Sequence, residues 1–220
     1  MEVWNGQKWM IVSVSTPNLD GGARGIVMGG NPGTDTINFF TISTTGDAQD
    51  FGDFTEIIRV AALSSPTRAL FGGGYGPVSP NTFNTIQFVT ISTTGNGQDF
   101  GDITSARINM AGGGFASNTR GLFSGGGSSG TGYVNTIDFV TIATTGNTTD
   151  FGDMTVAGSG VGANSNSIRG VLGGRTTPSK QQVIDFIVIA TTGNAQDFGD
   201  LLNIFGNCGG TSDSHGGLTE

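Results

Sequence analysis

Several residue patterns in this 220-residue chain could do chemistry. Asp-Phe-Gly occurs at Asp50, Asp99, Asp150 and Asp197, and in protein kinases that tripeptide holds magnesium. Here it recurs without the catalytic-loop signature or the lysine-bearing strand motif that must accompany it, so its reading is structural. The Phe packs, the Gly permits a bulge or a close backbone approach, and the flanking Asp residues accept N–H bonds in turns. Gly72-Gly73-Gly74-Tyr75-Gly76 and Gly125-Gly126-Gly127 suggest a phosphate cradle. Such a cradle needs a following helix N-terminus, and neither Pro77-Val78-Ser79-Pro80 nor Ser128-Ser129-Gly130 starts a helix. Asp47, Asp50 and Asp53 come nearest to a calcium loop, which wants five or more oxygens and a closing Glu, but the other units replace Asp47 with Asn. The lone Cys208 excludes an intrachain disulfide framework, and no nucleophilic triad can be built without the lone His215. The expectation is a non-enzyme with no metal and no cofactor.

Composition narrows the class. The chain has 40 Gly and 15 Phe, and few Leu, Glu or Lys, so strong helix formers are scarce while strand formers abound. The net charge of −8, with nine scattered basic residues, argues against nucleic acid as a partner. No apolar run is long enough to span a membrane, and the opening Met1-Glu2-Val3-Trp4-Asn5-Gly6 does not read as a signal peptide.

The elements that position these residues repeat. The segment 41–53, which begins Thr41-Ile42-Ser43-Thr44-Thr45-Gly46, returns at 90–102, 141–153 and 188–200. Its turn glycines, Gly46, Gly95, Gly146 and Gly193, lie 49, 51 and 47 residues apart. Between them, short apolar strands begin at Arg24, Arg68, Arg120 and Arg169 and end in glycine doublets or triplets. One unit reads as strand A at 60–64, strand B from Arg68, strand C at 85–91 and strand D at 98–103. Four-stranded units of about 40–50 residues are the sequence signature of propeller blades.

This order of a Gly-Gly strand, a variable loop, a strand, a polar turn and an aromatic strand resembles the Kelch repeat of β-propellers. Phe51, Phe100, Phe151 and Phe198 stand where Kelch blades usually carry Trp. The resemblance covers nearly the whole chain and implies an all-β propeller. Segments of the Thr-Ile-Ala-Thr-Thr-Gly-Asn type and the hairpin Glu2-Val3-Trp4-Asn5-Gly6-Gln7-Lys8-Trp9 are further similar to Kelch-like virion structural proteins of marine tailed bacteriophages. That likeness implies a virion location, in a tail fibre or tail tip, and a binding role.

The ends complement each other. Counting the repeat puts strand A near 204–209 and strand B at 214–218, after which the chain stops. Asn5-Gly6 is a strong hairpin signal that would supply strands C and D of the same blade. The expectation is one domain, 1–220, of five blades: 11–54, 55–104, 105–155, 156–202, and a closing blade from 1–10 plus 203–220. Phe51, Phe100, Phe151 and Phe198 should lie buried between blades, and Trp4 and Trp9 in the closing blade's core. Arg24, Arg68, Arg120 and Arg169 should form a ring of ion pairs with turn aspartates. What varies is the B–C loops at 31–35, 75–84, 128–135 and 175–182, which should share a face with the D–A connections. Recognition usually sits on such loops. Tyr75, Phe83, Tyr133, Asn31 and Lys180 are the ligand-binding candidates, with Tyr75 and Tyr133 foremost. The expected partner is a virion protein or a host-surface glycan or receptor, without membrane insertion, and the reading allows a homo-oligomer within a virion. The alternative is a free-standing lectin-like or protein-interaction propeller.

Overall fold

The computed structural model describes residues 2–4, 9–11, 24–29, 33–55, 58–76, 82–128 and 132–212. Strands β1 (Glu2–Trp4) and β2 (Trp9–Ile11) form a two-stranded hairpin. Unit 1 contains β3 (Arg24–Met28), β4 (Thr36–Thr41) and β5 (Gln49–Asp53). Unit 2 contains β6 (Ala61–Ser64), β7 (Arg68–Gly72), β8 (Thr85–Thr90) and β9 (Gln98–Asp102). Unit 3 contains β10 (Gly114–Ala116), β11 (Arg120–Ser124), β14 (Thr136–Thr141) and β15 (Thr149–Asp153). Its loop carries the two-residue strands β12 (Gly127–Ser128) and β13 (Gly132–Tyr133). Unit 4 contains β16 (Gly162–Ser165), β17 (Arg169–Thr176), β18 (Lys180–Val188) and β19 (Gln196–Phe205). Every pairing among the described residues is antiparallel and between chain neighbours, except that β11 pairs with β14 across the β12–β13 hairpin, and the described residues contain no helix.

The middle sheets bury both faces. In β8, Ile86, Gln87, Phe88 and Val89 are all buried, which is why its sequence alternates only in part. Successive units share cores. Ile37, Phe51 and Phe54 of unit 1 meet Ala69, Phe71, Val89 and Ile91 of unit 2. Equivalent clusters join unit 2 to unit 3 and unit 3 to unit 4.

A polar joint accompanies each apolar one. In all four units the last two strands shift register beside the Asp-Phe-Gly glycine. Gly52, Gly101, Gly152 and Gly199 have φ of 145°, 142°, 144° and 140°. The next unit's Thr-Thr-Gly-Asn turn docks there. Gly95 donates its N–H to the Phe51 carbonyl (2.7 Å) and Asp53 N–H donates to Asn96 Oδ1 (3.1 Å). The same pair forms between Gly146 and Phe100 (2.7 Å) with Asp102 and Asn147 (3.0 Å), and between Gly193 and Phe151 (2.8 Å) with Asp153 and Asn194 (3.1 Å). A Cβ on Gly52 would lie 2.6 Å from the Gly95 carbonyl, so the approach excludes any side chain.

Four expectations need correction. Phe51, Phe100 and Phe151 are buried at 2–3%, but Phe198 is 55% exposed because no described unit covers it. The four strand-B arginines form no ion pair among the described residues. Their guanidinium carbons instead stack 4.6–4.9 Å from the ring centroids of Phe39, Phe88, Phe139 and Phe186. Arg24, Arg68 and Arg120 also donate to the carbonyls of Ile91, Ile142 and Ile189 in the next unit. A cation over an aromatic face, bonded to a carbonyl, needs no carboxylate. The third correction concerns the loop at 175–182, most of which is strand, since β17 runs to Thr176 and β18 starts at Lys180.

Fourth, Ile204 and Phe205 do not start a new strand A. They prolong β19, whose Phe205 pairs with Gln181. Residues 208–212 take the strand A position instead. Ser212 Oγ donates to the Ser165 carbonyl at 2.8 Å, repeating the 2.8 Å bond from Ser165 Oγ to the Ala116 carbonyl. The expected strand B at 214–218 lies outside the described residues, as do Asn31, the side chains of Trp4 and Trp9, and all of blade 1's expected strand A at 11–15 except Ile11, which belongs to β2 and pairs with Glu2.

The Phe198 exception can be measured. Phe100→Ala should cost about 3–5 kcal/mol, as for a fully buried aromatic, and Phe198→Ala under about 1 kcal/mol in dilute solution. Urea denaturation of both variants tests this, and equal losses would show that the two rings are packed alike.

Candidate functional site

The segments that lead into the inner strands converge. Arg59, Asn109, Gly160 and Asn207 occupy equivalent positions, each with φ between 56° and 62°. Backbone bonds link them in series: Met110 N–H to the Arg59 carbonyl (3.1 Å), Gly160 N–H to that of Asn109 (3.1 Å), and Cys208 N–H to that of Gly160 (3.0 Å). Gly and Asn tolerate this left-handed conformation best, and Arg59 holds it at some cost.

These segments surround an open hollow of about 670 Å³, within the range of small-ligand sites. Arg59, Asn109, Tyr133, Ser159, Thr176, Asn207 and Cys208 line it. Arg59 Nη1 donates to Asn109 Oδ1 at 2.8 Å, which aims the guanidinium along the wall. Tyr133 is 38% exposed at the end of the β12–β13 hairpin. Cys208 is half-buried, and burial pushes its thiol above the usual range. The lining carries one cation, one phenol, two amides and two hydroxyls, with no carboxylate. It can hydrogen-bond a polar, neutral or anionic group, and offers one aromatic side chain for stacking.

The candidates from sequence divide. Tyr133 lies in this lining. Tyr75 is seated on the adjoining connection, where its N–H donates to the Ile58 carbonyl at 2.9 Å and Ile58 N–H donates back at 2.7 Å. Phe83 packs against the core between units 1 and 2. Lys180 is exposed on the tight β17–β18 turn, outside the lining. The B–C loops and D–A connections do share one face, since Tyr75 pairs with Ile58, Gly127 with Ile108 and Thr176 with Ser159. Thr176 lies in the expected loop 175–182, whereas Arg59, Asn109, Ser159 and Asn207 were not expected at a site. Their signal was a polar or glycine residue recurring at 59, 109, 160 and 207, hidden because the side chains differ.

Buried ion pairs support the walls. Arg107 pairs with Asp138, and its Nη1 donates to the Gly125 and Thr136 carbonyls, each at 3.0 Å. Thr104 Oγ1 donates to the same carboxylate at 2.7 Å. Burial pushes the Asp138 carboxyl above the ordinary range, against the pull of Arg107 and Thr104. In unit 4, Arg175 Nη2 lies 2.8 Å from Asp185 Oδ2. The two arginines come from different places. Arg107 precedes Ile108 on the D–A connection, where unit 4 has Gly158 before Ser159. Arg175 precedes Thr176 on strand B, where unit 3 has Gly126 before Gly127. A Cβ on Gly158 would lie 2.9 Å from Arg175 Cβ, and one on Gly126 3.2 Å from Arg107 Cβ. Each glycine leaves the space that the other route's arginine fills. Unit 2 uses neither: neutral Gln87 accepts there from Thr55 N–H at 3.3 Å.

No family model matches the chain, and no curated protein matches it. A solved structure described as "Structure of YjhT" is similar in fold, with a TM-score of 0.67 and 9% identity over 82% of this chain. This chain spans 63% of the length of that one. At that identity the likeness shows the fold alone. What the two share is an all-β arrangement of antiparallel sheets.

The ion pair yields a double-mutant test. Arg107→Ile alone leaves Asp138 buried and uncompensated and should cost about 3–5 kcal/mol. Adding Asp138→Gln, which copies Gln87, should recover most of the loss. Chemical denaturation of both single variants and the double gives the coupling, and simple additivity would show that the two side chains do not act as a pair.

Proposed function

We propose that this protein is a non-enzymatic virion structural and binding module. It displays its variable loop face toward a host-surface receptor or glycan, or toward a neighbouring virion protein. The observation that carries the binding role is the open hollow lined by Arg59, Asn109, Tyr133 and Asn207, where repeat positions that share a backbone differ in side chain. An asymmetric partner can be read only where the repeat breaks, and here the breaks are gathered on one face. The opposite face is taken up by turns that bond to neighbouring units through Asn96, Asn147 and Asn194. The virion assignment rests on the resemblance of the Thr-Thr-Gly-Asn repeats and the amino-terminal hairpin to phage Kelch-like proteins. The finer architecture belongs with this reading: a Kelch-like propeller whose ring continues past unit 4, as the position of residues 208–212 supports. The polar lining also suits the second reading, a free-standing lectin-like or protein-interaction propeller.

Mass spectrometry of purified particles tests the location, and absence of the chain from them would favour the free-standing alternative. A glycan array and pull-down from disassembled particles test the binding. Arg59→Ala and Tyr133→Ala should each weaken the partner so found by about tenfold or more, with melting temperatures within a few degrees of wild type. Binding that survives both changes but is lost in a folded Arg68→Ala variant would place recognition on the opposite face.

A further inference from the structure

Each joint between consecutive units has two halves. The leading half belongs to the earlier unit's last strand: a Phe carbonyl, a positive-φ glycine and an Asp N–H. The trailing half is the later unit's Thr-Thr-Gly turn with the apolar face behind it. The repeat supplies four of each, and the described joints use three of each. The spare leading half is Phe198, Gly199 and Asp200 on β19. A Cβ on Gly199 would meet nothing within 4 Å, although its φ of 140° matches the engaged glycines. The spare trailing half is Gly46 and Asp47 with Val27, Phe40 and Ile42, which are 54%, 38% and 65% exposed. Their counterparts Leu172, Ile187 and Ile189 in unit 4 are buried at 0–3%.

The inner strands show the same imbalance. Units 2 to 4 each have four described strands and unit 1 has three. Beyond unit 4, residues 208–212 already occupy a strand A position. A hollow of about 210 Å³, lined by Arg24, Ile26, Ala62, Leu63 and Ser64 among others, lies at the inner edge of unit 1 beside β6.

We propose that these halves engage between molecules: unit 1 of a second copy of this chain docks on unit 4 of the first. The second copy's Gly46 N–H donates to the Phe198 carbonyl, and its Asp47 carboxylate accepts from Asp200 N–H. Its Val27, Phe40 and Ile42 cover Phe198 and Leu201, while residues 208–212 of the first copy lie along its β3. Among the described residues of one copy both faces are exposed and nothing joins them to each other. The β1–β2 hairpin makes a poor substitute. Its β2 reads Trp-Met-Ile without the bulge glycine, and four residues separate its strands where seven separate β8 from β9.

The interface is heterologous, so it either closes or propagates. Two copies carry eight described units, which falls within the range of roughly 4–8 for single-ring discs, so the expected product is a closed pair. Asp47 replaces the Asn of the other three turns and brings a carboxylate beside Asp200. The intermolecular joint is therefore weaker than the internal ones, and association is reversible.

Light scattering on the full chain across a concentration series tests the proposal. Wild type should rise from 22.4 kDa to twice that mass, and Asp47→Asn should shift the transition severalfold to lower concentration. Ile42→Asp and Phe198→Asp should each run as single copies. Their equimolar mixture should restore one joint and give two copies and nothing larger. Gly199→Ala, which meets no atom within its own copy, should weaken association even if Phe198→Asp fails to fold. A wild type of 22.4 kDa at every concentration overturns the proposal. With the amides of 198–205 protected from hydrogen exchange, that result means the chain covers this face itself. A mixture that stays at single-copy mass overturns it equally.

Discussion

The structure depends on the contact of one backbone with another at the positive-φ glycine of each last strand. The Gly95 turn comes close enough to Gly52 that a methyl group could not fit between them. At that distance the turn's N–H reaches the Phe51 carbonyl and the Asn96 side chain reaches the Asp53 N–H. The neighbouring sheets are thereby set close enough for Ile37, Phe51 and Phe54 to share a core with Phe71 and Val89. Burial of such apolar surface supplies most of the stabilisation, while the bonds at the turn fix the spacing. Arg24, Arg68 and Arg120 obey the same spacing, because each spans from its own unit's Phe ring to a carbonyl of the next.

This joint also divides the molecule by task. The turns on one face are occupied with their neighbours, and their sequences repeat accordingly. On the other face, the connections need only keep a left-handed residue at 59, 109, 160 and 207. The side chains there are free to differ, so a site with one cation, one phenol and several amides can form without disturbing the scaffold.

The strand order was legible from sequence because a motif that recurs four times advertises its own frame. The burial of Phe51, Phe100 and Phe151 followed from it. The exposure of Phe198 did not, since a repeat says nothing about whether a neighbour covers its last copy. The stacking of Arg24, Arg68 and Arg120 was misread as ion pairing because the aspartates close in sequence are spent on backbone N–H groups, such as that of Gly52, which donates to Asp50. Tyr133 was found as an aromatic in a variable loop. Arg59, Asn109 and Asn207 were not, because what they share is a backbone angle, and single-letter sequence does not display one. Strand A beyond unit 4 was placed several residues early because Leu201, Leu202, Ile204 and Phe205 continue a strand-like run past the motif.

The exchange of Arg107 with Gly126 against Gly158 with Arg175 has a consequence for how such repeats are compared. Aligned residue by residue, units 3 and 4 disagree at both positions, each setting an arginine against a glycine. In space the two guanidinium groups serve the same purpose, each neutralising the carboxylate that follows the strand C isoleucine, at Asp138 and at Asp185. Divergence here has preserved a charge and a filled volume while moving the covalent tether that carries them. Substitution matrices score this as two losses, whereas a map of atoms scores it as none.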